Sequence, residues 1–228
     1  MTRIKVAMSS FVFLTMCTVA VAWSEDRVSR QQGEQNEATV LRYLRPILQS
    51  SGATARIYYR ADCQSDPDYP IPFPRLTLRQ PRARYRNASV VGDVFRNNAA
   101  IAVTRTERGL FHIRIGKVPE ELLQTKISNV SFKTSEQYDI HSAFRVIENT
   151  VEFRRKQRQL RVRAISRPYD LPVQAPMEGL PHLPPSLKKV TVDQALDEIA
   201  KTFGVVIVFG YCSSPPTYDL TYTGIKEW

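Results

Sequence analysis

Residues 205–209 read Val-Val-Ile-Val-Phe, five apolar residues in succession of which four are β-branched. A run with no polar face to offer solvent predicts a buried strand. The segment before it is equally well defined. Across residues 192–203, Val192, Ala195, Leu196, Ile199 and Phe203 recur at helical spacing. Asp193 complements the helix N-terminus and Gly204 closes the C-terminus. Gly210, Tyr211 and Cys212 follow the strand. The order is helix, glycine, strand, cysteine.

The same order occurs near the start of the chain. Apolar residues at Val40, Leu41, Leu44, Ile47 and Leu48 predict a helix that Pro46 disturbs or kinks and Gly52 ends. Residues 55–61 (ARIYYRA) then predict a strand, and Asp62 and Cys63 follow. After each cysteine comes a proline-rich stretch and a short β-like run, residues 76–78 in one case and 220–222 in the other.

A second unit also occurs twice. Residues 90–98 predict a short helix, 101–105 a strand, 107–109 a turn, and 110–115 its return strand. Phe111, Ile113 and Ile115 mark the buried side of that strand, which places His112 on its outward face. Residues 140–149 predict another helix, 151–154 a strand, 156–158 a turn, and 160–164 the return, with 127–133 as a strand leading in. The expected fold class is α+β: two small βαββα-type domains whose short mixed sheets pack against helices. The expected boundaries are 38–117 and 118–228, with a proline-rich insert at 167–185, and the pattern reads as a duplication.

Residues 1–22 predict a secretory signal. Arg3 and Lys5 precede an apolar stretch, and Ala20-Val21-Ala22 presents small residues for cleavage before Trp23. An uncleaved anchor is the rival reading. The expected location is therefore periplasmic or secreted, with 23–37 as a polar N-terminal segment. Cys17 leaves with the signal, so Cys63 and Cys212 remain in an oxidising compartment and are expected to pair. The chain carries +10; losing Arg3 and Lys5 leaves +8, a balance that favours anionic surroundings.

Residues 187–208 (LKKVTVDQALDEIAKTFGVVIV) closely fit a helix of the form V-x-x-A-L-x-x-L-A-x-x-x-G followed by an apolar strand. This resembles the short N-terminal (STN) domain found ahead of secretins and of signal-transducing TonB-dependent receptors. Residues 38–116 fit the family order more loosely. Two departures stand out: in the second domain the units come in permuted order, and no barrel sequence follows before Trp228. The resemblance implies a periplasmic protein–protein interaction module.

No catalytic pattern is present. His112, His141 and His182 are not at metal-ligand spacing, and Cys63 and Cys212 do not form a C-x-x-C pair. No nucleophile elbow, zincin or phosphate-loop motif occurs. Neither catalytic residues nor a metal or cofactor is expected. What remains is basic. One cluster is Arg75, Arg79, Arg82, Arg84 and Arg86. The other is Arg154, Arg155, Lys156, Arg158, Arg161 and Arg163 on the second hairpin, where Arg161 and Arg163 share a face. Such a ribbon grips phosphates or an acidic partner, or else simply solvates a strand face. The leading functional reading is a non-enzymatic, exported interaction or assembly module that binds an envelope protein. The alternatives are a secreted binder of anionic polymers or lipid head groups that uses the arginine-rich hairpin, and an enzyme of unrecognised type.

Overall fold

The computed structural model describes residues 35–61, 63, 71–79, 90–106, 109–165 and 179–225. The signal segment 1–22, most of the polar segment after it, Arg82, Arg84 and Arg86, and most of the proline-rich insert lie outside them. The chain is α+β. Helix α1 covers residues 35–51 and runs without a break through Pro46. It leads into β1 (Thr54–Ala61), α2 (Val90–Phe95), β2 (Ile101–Arg105), β3 (Leu110–Ile115) and α3 (Glu120–Leu123). Then come β4 (Lys126–Ser131), α4 (Thr134–Gln137), α5 (Ile140–Glu148), α6 (Val151–Leu160) and β5 (Arg163–Ala164). The described chain closes with β6 (Ser186–Thr191), α7 (Val192–Phe203), β7 (Val205–Ser213) and β8 (Pro216–Gly224).

One six-stranded mixed sheet, in the order β2-β3-β1-β7-β8-β5, carries both apolar strands at its centre. A smaller sheet pairs β4 with β6. β1 and β7 are parallel neighbours, with Ala55 opposite Val206 and Ala61 opposite Cys212. Gly52 and Gly204 hold φ of 62° and 59°, so both helices α1 and α7 hand over to their strands through a left-handed glycine. The two helices cover opposite faces of the sheet. Parallel neighbouring strands with helices on opposite sides are the arrangement a twofold axis along the strands generates. The symmetry stops at the next strands, because β3 is parallel to β1 whereas β8 is antiparallel to β7.

Strand alternation divides the interior into two cores. Ala55, Ile57, Tyr59, Val206 and Val208 face α1 and α2. Tyr58, Val205, Ile207 and Phe209 face α5, α6 and α7. Segments 38–117 and 118–228 thus contribute their helices mainly to one face each, yet β1, β2 and β3 of the first share one sheet with β5, β7 and β8 of the second. This explains VVIVF: the middle strand of a two-sided sheet has no side left for polar residues.

Two expectations about local structure fail. Residues 151–160 form helix α6, not a strand and turn. Val151 is the only β-branched residue in VEFRRKQRQL; the rest are mainly strong helix formers, and 156–158 contains no Gly, Asn or Pro to turn a hairpin. Phe153 anchors the helix in the core, and Arg161 closes it at φ 53°. The apparent alternation of Leu160, Val162 and Ala164 belongs to the helix end and to β5. Residues 76–78 form no strand either. The Asn98 side chain takes the place of a neighbouring strand, accepting from Thr77 N at 3.0 Å and donating to Thr77 O at 2.8 Å.

Gly210 answers to a close approach. It lies opposite Tyr59, whose hydroxyl oxygen and ring carbon Cζ would stand 2.6 and 2.7 Å from a Cβ at this position. That side chain is buried, and its hydroxyl donates to Ile71 O at 2.7 Å. Gly210→Ala must displace it, and is expected to cost about 1–3 kcal/mol by urea denaturation. A change within about 0.5 kcal/mol would show that the strand absorbs the methyl group.

Candidate functional site

Three groups of polar side chains stand out. The first is buried. Arg56 lies on β1 and is only 1% exposed. Its parity on the strand aims it at α7, where Asp193 and Asp197, four residues apart, share one helix face. Arg56 Nη2 lies 2.8 Å from Asp193 Oδ1, and Nη1 lies 2.7 Å from Asp197 Oδ1. Nη1 also donates to the Asp193 main-chain oxygen. The Tyr58 hydroxyl donates to Asp193 Oδ1 at 2.8 Å, and the Tyr58 ring lies 4.7 Å from the guanidinium carbon.

His112 completes this network, with Nε2 at 2.9 Å from Asp197 Oδ1. Its side chain is 13% exposed, so the expected outward placement is wrong. β3 is covered on both faces, and alternation alone does not reveal the second cover. Desolvation opposes ionisation of Asp197, but the His112 hydrogen bond and Arg56 outweigh it and hold the carboxyl below its ordinary range. Burial drives the Tyr58 hydroxyl well above its usual value, so it remains a donor. Every carboxylate here has a cationic or hydroxyl partner, and the cluster sits between α7 and the sheet. Its chemistry is that of an internal clamp joining α7 to β1 and β3.

The second group lines a cleft of about 60 Å³ between α5 and the β5–β8 edge, formed by His141, Phe144, Arg145, Glu148, Tyr218 and Leu220 among others. The Tyr218 hydroxyl donates to Glu148 Oε1 at 2.7 Å, and Tyr222 Oη lies 3.0 Å from His141 Nε2. Burial pushes Glu148 above the ordinary carboxyl range despite the hydrogen bond from Tyr218. A carboxyl raised in the folded state favours folding while protonated and loses that contribution as pH rises through its folded value. Glu148→Gln keeps an acceptor for Tyr218 without the charge. The variant is expected to be more stable than the parent at neutral pH and indistinguishable from it below the ordinary glutamate range. Chemical denaturation at the two pH values checks this, and equal stability at neutral pH would contradict it.

The third group is the basic one. Arg154, Arg155, Arg158 and Arg161 are exposed on α6 and its cap, Lys156 is half-buried beside them, and exposed Arg163 follows in β5. Helix and turn together bring all six into one region, although the hairpin that was to present them does not exist. Arg158, Arg161 and Arg163 line an open concavity of about 680 Å³ with Gln157, Val162 and Ala164. Arg154 donates to the Asn149 side chain. None of the six forms an ion pair with a carboxylate among the described residues. Arg158 and Arg161 sit at the helix C-terminus, where the dipole favours positive charge.

Cys63 and Cys212 form a disulfide, with Cα atoms 5.8 Å apart at the ends of the central strand pair. Among the described residues, no group of three or more His, Cys, Asp or Glu could hold a metal ion, and no helix is long and apolar enough to cross a membrane. No family model, curated protein or solved structure matches the chain. Sequence reasoning located the arginines and cysteines but missed the Arg56 clamp. The signal was there: an arginine on an apolar strand, and two aspartates one helical turn apart.

Proposed function

We propose that this protein is an exported, non-enzymatic binding module that docks an acidic protein of the cell envelope against the α6–β5 face. One observation carries the reading: five arginines and a lysine gather on α6 and β5 with no ion-paired carboxylate among the described residues, whereas buried Arg56 is paired with Asp193 and Asp197 inside the fold. Guanidinium groups suit bidentate recognition of carboxylates. The likeness of residues 187–208 to the secretin/TonB short domain supports an envelope partner, and the disulfide supports an oxidising compartment.

The test compares the chain lacking residues 1–22 with its Arg158→Glu/Arg161→Glu/Arg163→Glu variant as baits for envelope extract. The parent should retain an acidic protein at ~50 mM salt and release it by ~0.5 M, because the interaction is screened. The triple variant should not retain it. Equal retention by both baits would sink the reading. Retention of glycan or nucleic acid alone would replace the protein partner with a polyanion.

A further inference from the structure

Among the described residues, only Arg161 and Lys189 hold a left-handed backbone without being glycine, both at φ 53°. Both are basic and exposed. Glycine adopts this conformation freely, whereas a residue with a Cβ is strained there. At Arg161 the strain accompanies the closure of α6. At Lys189 it reshapes β6. The ladder pairs Ile127 with Val190 and Asn129 with Lys188, and skips Ser128 and Lys189 between them. Ile127 and Val130 on β4, like Leu187 and Val190 on β6, are three positions apart yet pack on one core. Strict alternation would turn one member of each pair away from that core. The irregularity keeps all four inside and turns two consecutive residues outward on each strand, Ser128 with Asn129 and Lys188 with Lys189. Glycine at position 189 would serve this irregularity with less strain.

The two lysines lie beside the arginines of α6. Ser128 N, outside the ladder, donates to Glu152 Oε1 at 3.0 Å, so the first turn of α6 lies against β4. Phe153 and Leu160 turn the inner side of α6 to the same core that Ile127 and Val190 cover. The outer faces of α6, β4 and β6 therefore adjoin, roughly 15 Å from β6 to the α6 axis. Neither β4 nor β6 contains an acidic residue, and Glu152, the one acid of α6, is engaged with Ser128. Lys188 and Lys189 form no ion pair among the described residues.

Resting on the docking reading above, we infer that the docking surface continues from α6 across β4 onto Lys188 and Lys189. Its occupant is the same acidic envelope protein, which meets the arginines of α6 and the lysines of β6 at once with an acidic face roughly 15 Å across. Charge complementarity selects that occupant, and a second copy of this chain would set like charges against each other. Lys189 is then a contact residue held at a conformational cost: glycine in its place would suit the strand better and the partner worse.

The probe is a fluorescein-labelled dodecapeptide of glutamate, titrated by anisotropy into the chain lacking residues 1–22 at ~50 mM salt. Lys188→Glu/Lys189→Glu should weaken binding about tenfold or more. Arg42→Glu/Arg105→Glu, an equal charge change on the α1 side of the sheet, should weaken it less than about threefold. Lys189→Gly should weaken binding at least about twofold while the melting temperature stays unchanged or rises, because glycine relieves the strain. Equal losses from the two charge reversals would mean that only overall charge acts, and would overturn the inference. A lowered melting temperature for Lys189→Gly with unchanged affinity would overturn it too. If charge reversal on α6 still abolished binding and partner capture, the docking reading would survive either result. An α6 reversal without effect would overturn both. Failure of the peptide to bind the parent chain would also overturn the inference. So would a thymidine oligonucleotide of similar charge that binds more than about tenfold tighter through the same lysines.

Discussion

Arg56→Ala is expected to destabilise the protein by about 3–5 kcal/mol, because removing one partner leaves two aspartates facing an uncompensated interior. Arg56 is 1% exposed and engages both Asp193 and Asp197, so water cannot replace it without opening the α7–sheet contact. The loss belongs to the broken pair and does not measure the pair's net worth. Replacing Arg56 with Met together with Asp197→Leu should therefore recover part of the stability. The coupling energy between the two sites is expected to be about 1–3 kcal/mol. Urea denaturation of the single and double variants gives it directly. Additive losses would mean that Arg56 acts through packing and not through the carboxylates.

Reduction of Cys63–Cys212 should be as damaging. The bond spans 149 residues in sequence and joins the ends of the two central strands. Loop-closure entropy over such a length sets an upper figure of about 5 kcal/mol, comparable to the whole stability of a small domain. Thermal unfolding with reductant, and of Cys63→Ser/Cys212→Ser, should therefore occur at least about 10 °C lower. Unchanged melting would show that β1 and β7 are held by their ladder and the two cores alone. The damage should concentrate where the strands leave the sheet, since Ala61 lies opposite Cys212.

How far the sequence can be read depends on what fixes each feature. VVIVF, the glycines at 52 and 204, and the apolar stripe of α7 are local signals, and all correspond to structure. Sheet order is not local. Nothing in the alternation of ARIYYRA indicates that β1 lies between β3 and β7, and the depth of Arg56 follows entirely from that position. His112 was misplaced for the same reason. Helix α6 is different, because its composition was legible and favoured a helix; the period-two reading of Leu160, Val162 and Ala164 overrode it. The basic residues were visible without their geometry.

The docking claim is tested most directly by a photo-crosslinking side chain placed at exposed Gln159, among the arginines of α6, in the producing cell. Asn97, exposed beyond α2 on the other side of the sheet, serves as the control position. The account predicts one discrete adduct from position 159 with an acidic envelope protein. That adduct should be absent from position 97 and should be lost when Arg158, Arg161 and Arg163 are changed to Glu. A protein adduct that persists through the charge reversal, or none at position 159, would contradict it.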